Sequence, residues 1–179
     1  MWKTRILSYL GLAGAAVLVA IFSMPSFRAG TAAITGRPAP TFAFTLDGHP
    51  TNLQSLRGRI VVLNFWATWC PPCVAETPSL EKMYTKLKPL GVTVLGVSVD
   101  EDAAAYHQFL IQHHITYPTY RDANAQIPHS YGTVMYPETY VIGRNGKIDR
   151  KLIGEQNWNS PNMLAYFQAI AQGRTPKVF

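Results

Sequence analysis

Apolar residues in this chain form one long run followed by several short ones set between turn-forming residues. No charged side chain occurs from Ile6 to Met24. As a helix, these 19 residues span about 28 Å, the depth of a bilayer's hydrocarbon core. Lys3 and Arg5 precede the run. The positive-inside rule therefore predicts a cytoplasmic N-terminus at 1–5, a membrane-spanning signal anchor at 6–24, and the rest of the chain on the far side. The alternative is a cleaved signal peptide, with Ala29, Thr31 and Ala33 as the small residues beyond the run. Signal peptides, however, ordinarily have an apolar core of about 7 to 15 residues. The Pro, Ser, Gly, Thr and Ala content of 25–36 reads as a linker, leaving 37–179 as one domain.

Within that domain the short runs have the lengths of strands. Thr41 to Leu46 alternates, with Asp47-Gly48 as its turn. Arg59 to Phe65 contains the unbroken run Ile60-Val61-Val62-Leu63, and Val92 to Val99 is similar; both predict strands buried on two faces. Pro72 suits the first turn of a helix that continues from Val74 to Leu87, with a disturbance expected at Pro78. Asp100 to Asp102 reads as the acidic start of a helix over 102–113. A short strand near Tyr117 to Tyr120 and a helical turn near Ala125 to Tyr131 follow. Strands at Glu138 to Ile142 and Lys147 to Ile153 flank an Asn145-Gly146 hairpin turn, and Ser160-Pro161 opens a last helix to Gln172. This order predicts an α/β domain with a mixed central sheet flanked by helices.

Charge changes the picture little. The formal net charge is +6, but Lys3, Arg5 and Arg28 fall in the first thirty residues with no acid. The remainder carries 13 basic and 10 acidic residues, interspersed along the chain, so no basic stripe for nucleic acid is expected.

The two cysteines, Cys70 and Cys73, change it a great deal. A loop this short constrains the unfolded chain too little to serve as a staple, so their purpose is chemical. Four-cysteine zinc sites are excluded by count. His107, His113, His114 and His129 lack the spacing of a Cys2His2 site, so no metal is expected. Thiol-disulfide exchange needs an attacking thiolate, a resolving thiol and access to the first sulfur. At a strand-to-helix junction the first cysteine meets the helix N-terminus, which favours its anion. Cys70 is thus the expected nucleophile and the more exposed sulfur, and Cys73 the shielded resolving thiol. Trp66 and Trp69 flank the pair; Trp69 is the better docking candidate, and Trp66 reads equally as core.

Phe65-Trp66-Ala67-Thr68-Trp69-Cys70-Pro71-Pro72-Cys73 resembles the active site of thioredoxin-fold proteins. The chain is similar above all to the membrane-anchored ResA/TlpA/CcmG (DsbE) group of thiol-disulfide oxidoreductases. The likeness covers residues 36–172 and includes Pro38-Ala39-Pro40-Thr41-Phe42, Leu56-Arg57-Gly58-Arg59 and Tyr136-Pro137-Glu138-Thr139-Tyr140-Val141-Ile142. It implies a thioredoxin-like fold, with the group's additional helix and strand between Asp100 and Tyr131. It implies that Pro137 is a cis-proline beside the disulfide, and that Tyr136 offers its backbone to a partner chain. Trp69, Pro71, Pro72, Tyr136 and Pro137 become the partner-binding residues. Asn64 stands where thioredoxin has a buried acid. Glu76 matches the group's active-site acid, which joins Cys70 and Cys73 in catalysis by exchanging a proton with the resolving thiol. The blander alternative for Glu76 is a solvated first-turn residue that favours the helix dipole.

The resemblance implies no cofactor. It implies protein disulfide substrates, electrons from a membrane thiol-disulfide transporter of the CcdA/DsbD type, and a single-pass protein of the bacterial inner membrane with its domain on the periplasmic or extracytoplasmic side. Pro137-Glu138-Thr139 is nearest the cytochrome c maturation branch, so a dithiol reductant of exported apoproteins such as apocytochrome c is expected. A disulfide oxidant would use the same residues with the opposite equilibrium. A peroxiredoxin would share the early Pro-x-Phe and Leu-x-Gly patterns but needs a lone, differently framed cysteine. A copper carrier, for which thiolates are suitable ligands, uses a longer cysteine spacing and a distant His.

Overall fold

The computed structural model describes residues 34–46 and 48–176. The expected anchor Ile6 to Met24, the linker up to residue 33 and Asp47 of the expected turn lie outside the described residues. Among the described residues no helix is long and apolar enough to cross a membrane. The compact unit that holds the sheet begins at Ile34.

Strands β1 (Ala43–Leu46) and β2 (His49–Asn52) form an antiparallel hairpin, followed by a 3-10 turn at Leu53–Leu56. The two apolar heptamers become β3 (Ile60–Trp66) and β4 (Val92–Ser98), every residue of which is buried. They run parallel, in register from Ile60 opposite Val92 to Trp66 opposite Ser98. A parallel pair needs a crossover, supplied by helix α1 (Pro71–Leu87). Helix α2 (Ala103–Gln112), strand β5 (Thr119–Arg121), helix α3 (Gln126–Ser130), strands β6 (Glu138–Ile142) and β7 (Ile148–Ile153), and helix α4 (Pro161–Ala171) complete the chain. The five-stranded sheet has the order β5-β4-β3-β6-β7, with β6 antiparallel to both its neighbours. The expected mixed α/β sheet is therefore present.

Period-two alternation along β3 divides the core. Ile60 and Val62 face α1 and α4, where Leu80, Met83, Leu87, Trp158 and Phe167 pack. Val61, Leu63 and Phe65 face the hairpin and α3, against Phe44, Ile127, Tyr131 and Tyr140. A third cluster joins Trp66, Cys70 and Cys73 to Tyr106 and Phe109 of α2.

Three expectations need correction. Helix α1 begins at Pro71 and passes Pro78 without interruption; Pro78 is exposed, so its ring is accommodated on the solvent side. The short strand lies at Thr119–Arg121, because the pairing of Gly96 with Thr119 on the edge of β4 sets its position. Asp100 does not start α2. Asp102 caps it by accepting from the N–H groups of Ala104 and Ala105, while Asp100 turns inward.

Candidate active site

The carboxyl ends of β3 and β4 form the functional end of the sheet. Residues 67–69 lead from β3 into α1, with Cys70 as the N-cap. Cys70 and Cys73 form a disulfide with their Cα atoms 5.3 Å apart. Neither is open to solvent: Cys70 is 4% and Cys73 1% exposed. The expected contrast between an exposed and a shielded sulfur is therefore slight in the disulfide form. Tyr136, Val74 and Ala125 pack against the cluster that holds both cysteines.

Helix α1 has prolines at its first two positions, Pro71 and Pro72, so two of the donors a helix N-terminus normally offers are absent. The N–H of Val74 is taken by the carbonyl of Cys70 at 3.1 Å. Of the first four helical donors, only the N–H of Cys73 remains to favour a thiolate at Cys70.

The approach to Cys70 is fixed from beneath by Asp100, a buried carboxylate at the end of β4. It accepts from the N–H of Thr68 at 3.1 Å, the Thr68 hydroxyl at 2.6 Å and the Ser98 hydroxyl at 2.6 Å. With Thr68 held, Trp69 projects outward, 64% exposed, and meets Tyr136 edge-on at 6.2 Å between ring centres. Trp66 is core: it is buried and packs on Phe109 and Tyr106. The Tyr136–Pro137 peptide bond is cis, and Val134 and Met135 just before it are exposed. The structure thus brings Trp69 and Tyr136 together beside the disulfide, with Pro137 following Tyr136 and Pro71 and Pro72 opening α1.

Glu76 lies one helical turn beyond Cys73, on the same side of α1. It is 2% exposed, which excludes the solvated reading. Oε1 accepts from Asn64 Nδ2 at 2.9 Å; Oε2 accepts from the Gln156 N–H and from Trp158 Nε1, each at 3.0 Å. No cation is among these partners. Burial pushes the Glu76 carboxyl up to about 7, and the Gln156, Trp158 and Asn64 donors pull only part of the way back. Asn64 also donates to Thr139 Oγ1 at 2.9 Å, tying β3, β6 and α1 together.

Comparison with known proteins places this geometry. The Redoxin family profile matches residues 34–166. Over 136 residues the chain is 37% identical to the thiol-disulfide oxidoreductase ResA of Bacillus cereus, covering 75% of this chain and 78% of that one. The chain belongs to the ResA/DsbE group of thioredoxin-like thiol-disulfide oxidoreductases. A structure from Chlorobium tepidum assigned as a thiol:disulfide interchange protein DsbE matches this ResA/DsbE-group fold with a TM-score of 0.67 at 29% identity. The match covers 78% of this chain and 96% of that one. The enzyme is thus a Cys-x-x-Cys thiol-disulfide oxidoreductase.

Three residues that shape the site were not singled out in the sequence. Asp100 looked like a helix start. Gln156 and Trp158 lie eighty or more residues from Glu76 and carry no local motif.

Proposed function

We propose that this oxidoreductase is a dithiol reductant of exported proteins, tethered by its N-terminal apolar run to the extracytoplasmic side of a bacterial inner membrane. Cys70 thiolate attacks a partner disulfide and expels one partner thiolate, giving a mixed disulfide. Cys73, having passed its proton to the Glu76 carboxylate, then attacks Cys70 Sγ. The Cys70–Cys73 bond forms, the second partner sulfur leaves, and two electrons have moved to the partner. A Glu76 carboxyl that titrates near 7 suits this proton transfer at neutral pH. A membrane thiol-disulfide transporter of the CcdA/DsbD type would return the electrons.

The observation that carries the direction is the paired prolines. A strong oxidant is one whose reduced, thiolate-bearing form is strongly stabilised. Here Pro71 and Pro72 withdraw two backbone donors from the thiolate. Trp69, Tyr136 and Pro137 form the surface that receives the partner, whose extended chain pairs with the Tyr136 backbone as an added strand. Apocytochrome c is the proposed substrate, on the strength of the Pro137-Glu138-Thr139 motif.

The reduction potential of the purified full chain tests the direction. A value near that of the strong periplasmic oxidants, about −120 mV, would reverse it. Cys70→Ser should abolish reduction of a model disulfide, and full activity in that variant would sink the mechanism. The Cys73→Ala variant should accumulate mixed disulfides in cells. Absence of apocytochrome c among the captured chains would remove it as substrate.

A further inference from the structure

Charges that are interspersed along the sequence are sorted by the fold into two ends. Asp100, Glu101, Asp102 and Asp122 follow the carboxyl ends of β4 and β5, and Glu155 follows that of β7, all at the disulfide end, where the cation Arg121 stands among them and donates to the Asp100 and Glu101 carbonyls. The opposite end, where β3 and β4 begin and the β6–β7 turn lies, gathers Arg37, Arg57, Arg59, Lys88, Lys147 and Arg174, all exposed. The expectation of dispersed basic residues therefore fails in space, because each chain reversal at this end contributes one or two of them. None of the six is ion-paired among the described residues, and the acid among them, Asp149, accepts from the Tyr166 hydroxyl.

Arg144 links the chain reversals at this end. Its Nε donates to the Gly58 carbonyl at 3.1 Å, and its Nη1 to the Ala171 carbonyl at 2.9 Å. A recess of 380 Å³, lined in part by Arg144, Asn145 and Lys147, opens in the surface. Leu90, 40% exposed, lies beside it, its carbonyl 3.5 Å from Arg144 Nη2. The described chain also begins here: the Gly36 N–H donates to the Ile148 carbonyl, and the Ile148 N–H to that of Arg37. Nine residues, 25–33, separate Ile34 from the apolar run. Fully extended they reach about 30 Å.

We infer that this basic end is a docking surface for anionic phospholipid headgroups, and that it holds the domain with its disulfide end turned away from the bilayer. Clustered Lys and Arg side chains are drawn to an anionic lipid surface within about a Debye length, near 8 Å at physiological salt. The acidic opposite end is repelled by the same field, so the charge separation orients the domain as well as binding it. The Arg144 and Lys147 charges in the recess outweigh the Asp149 carboxylate that also lines it. The Arg144 guanidinium acts through its charge, because its N–H groups are held by carbonyls, and Leu90 offers an apolar contact at the acyl boundary. The inference goes beyond the proposed tether, which it uses only to explain why this end is near the membrane.

The test uses the full chain with vesicles of phosphatidylcholine alone or with phosphatidylglycerol added. Hydrogen exchange is followed in peptides spanning 57–59 and 144–147. Exchange should slow several-fold only when phosphatidylglycerol is present. The protection should vanish in about 1 M salt, where screening is nearly complete. It should also vanish in the Arg57→Glu/Lys147→Glu double variant, whose disulfide exchange stays unchanged. Equal protection in both lipids, protection that survives charge reversal, or tighter binding to a DNA duplex than to phosphatidylglycerol vesicles would overturn the inference. Flotation with pure phosphatidylcholine vesicles reports the tether separately. A chain that fails to float there, yet gains protection on phosphatidylglycerol through these residues, would refute the tether and support the docking surface.

Discussion

Two buried glutamates, Glu76 and Glu138, lie on opposite faces of the same sheet and are shut from solvent to the same degree, 2% and 0% exposed. Their partners differ. Glu138, opposite Phe65 on β3, receives Lys151 at 2.8 Å, with the Thr133 hydroxyl at 2.6 Å and Tyr140 beside it. Glu76, on the α1 face, receives only neutral N–H groups. Burial alone would pull the Lys151 pKa down, yet its bonds to Glu138 and Tyr140 drive it up. Glu76 has no such partner, and desolvation carries it to about 7. Equal burial therefore leaves the two carboxyls in different settings, with neutral N–H donors around Glu76 and a cation against Glu138. Helix α1 sets Glu76 one turn beyond Cys73, and Glu138 follows Pro137 as the first residue of β6.

Removing the cation is the severest way to break this contrast. Lys151→Met leaves Glu138 buried with only hydroxyl partners. Losing one member of a buried pair costs about 3 to 5 kcal/mol, so a loss of about 4 kcal/mol is expected in urea unfolding. A loss below about 1 kcal/mol would show that Thr133 and Tyr140 hold Glu138 unaided.

The second test follows from linkage. The folded-state pKa of Glu76 lies above its ordinary value of 4.5, so its contribution is fully present below 4.5 and is lost as pH rises through about 7. The window is worth about 3 kcal/mol. Between pH 4 and pH 8 the parent protein should lose that much stability relative to Glu76→Gln, whose amide does not titrate. The pH profile of disulfide exchange should lose its inflection near 7 in the same variant. Parallel stability curves for the two proteins would mean that folding leaves the Glu76 pKa at its ordinary value.

These glutamates also show where a sequence can be read and where it cannot. Strands β3 and β4 were legible to within a residue, since an unbroken apolar run bounded by turns has few other uses. The Cys70 N-cap followed by prolines was legible as well, because the signal is local. That Glu76 is a buried acid was legible only through family likeness. Its place early in a helix suits a solvated residue equally well, and the Gln156 and Trp158 groups that enclose it reach it through the packing of a distant loop. Asp100 was misread for a related reason. Its neighbours in sequence form a helix start, but its hydrogen-bond partners are Ser98 and Thr68, the latter on another strand's exit.

Asp100 tests whether a third buried carboxylate acts by holding the chain that leads to Cys70. Asp100→Asn keeps the volume but can offer only one acceptor oxygen to the Thr68 N–H, the Thr68 hydroxyl and the Ser98 hydroxyl. A stability loss of about 1 to 3 kcal/mol is expected. Loosening residues 67–69 should also slow the attack of Cys70 on a protein disulfide more than on a small one, because Trp69 is then poorly placed. Equal slowing with both substrates would assign Asp100 to stability alone.

The smallest expected effect is the most specific to the Glu76 side. Trp158→Phe deletes the indole N–H that donates to Oε2 and leaves the Asn64 and Gln156 donors in place. That donor lowers the Glu76 pKa, so its loss must raise it, moving the inflection of the exchange rate above about 7 by a fraction of a unit. Trp158 is fully buried against Phe167, so the variant also leaves a cavity and will be less stable. A cavity by itself has no reason to move a titration upward, and the double variant with Glu76→Gln should show no inflection at all. An inflection that stays put or falls in Trp158→Phe would mean that the indole only fills space, and that the contrast between the two faces rests on Lys151 alone.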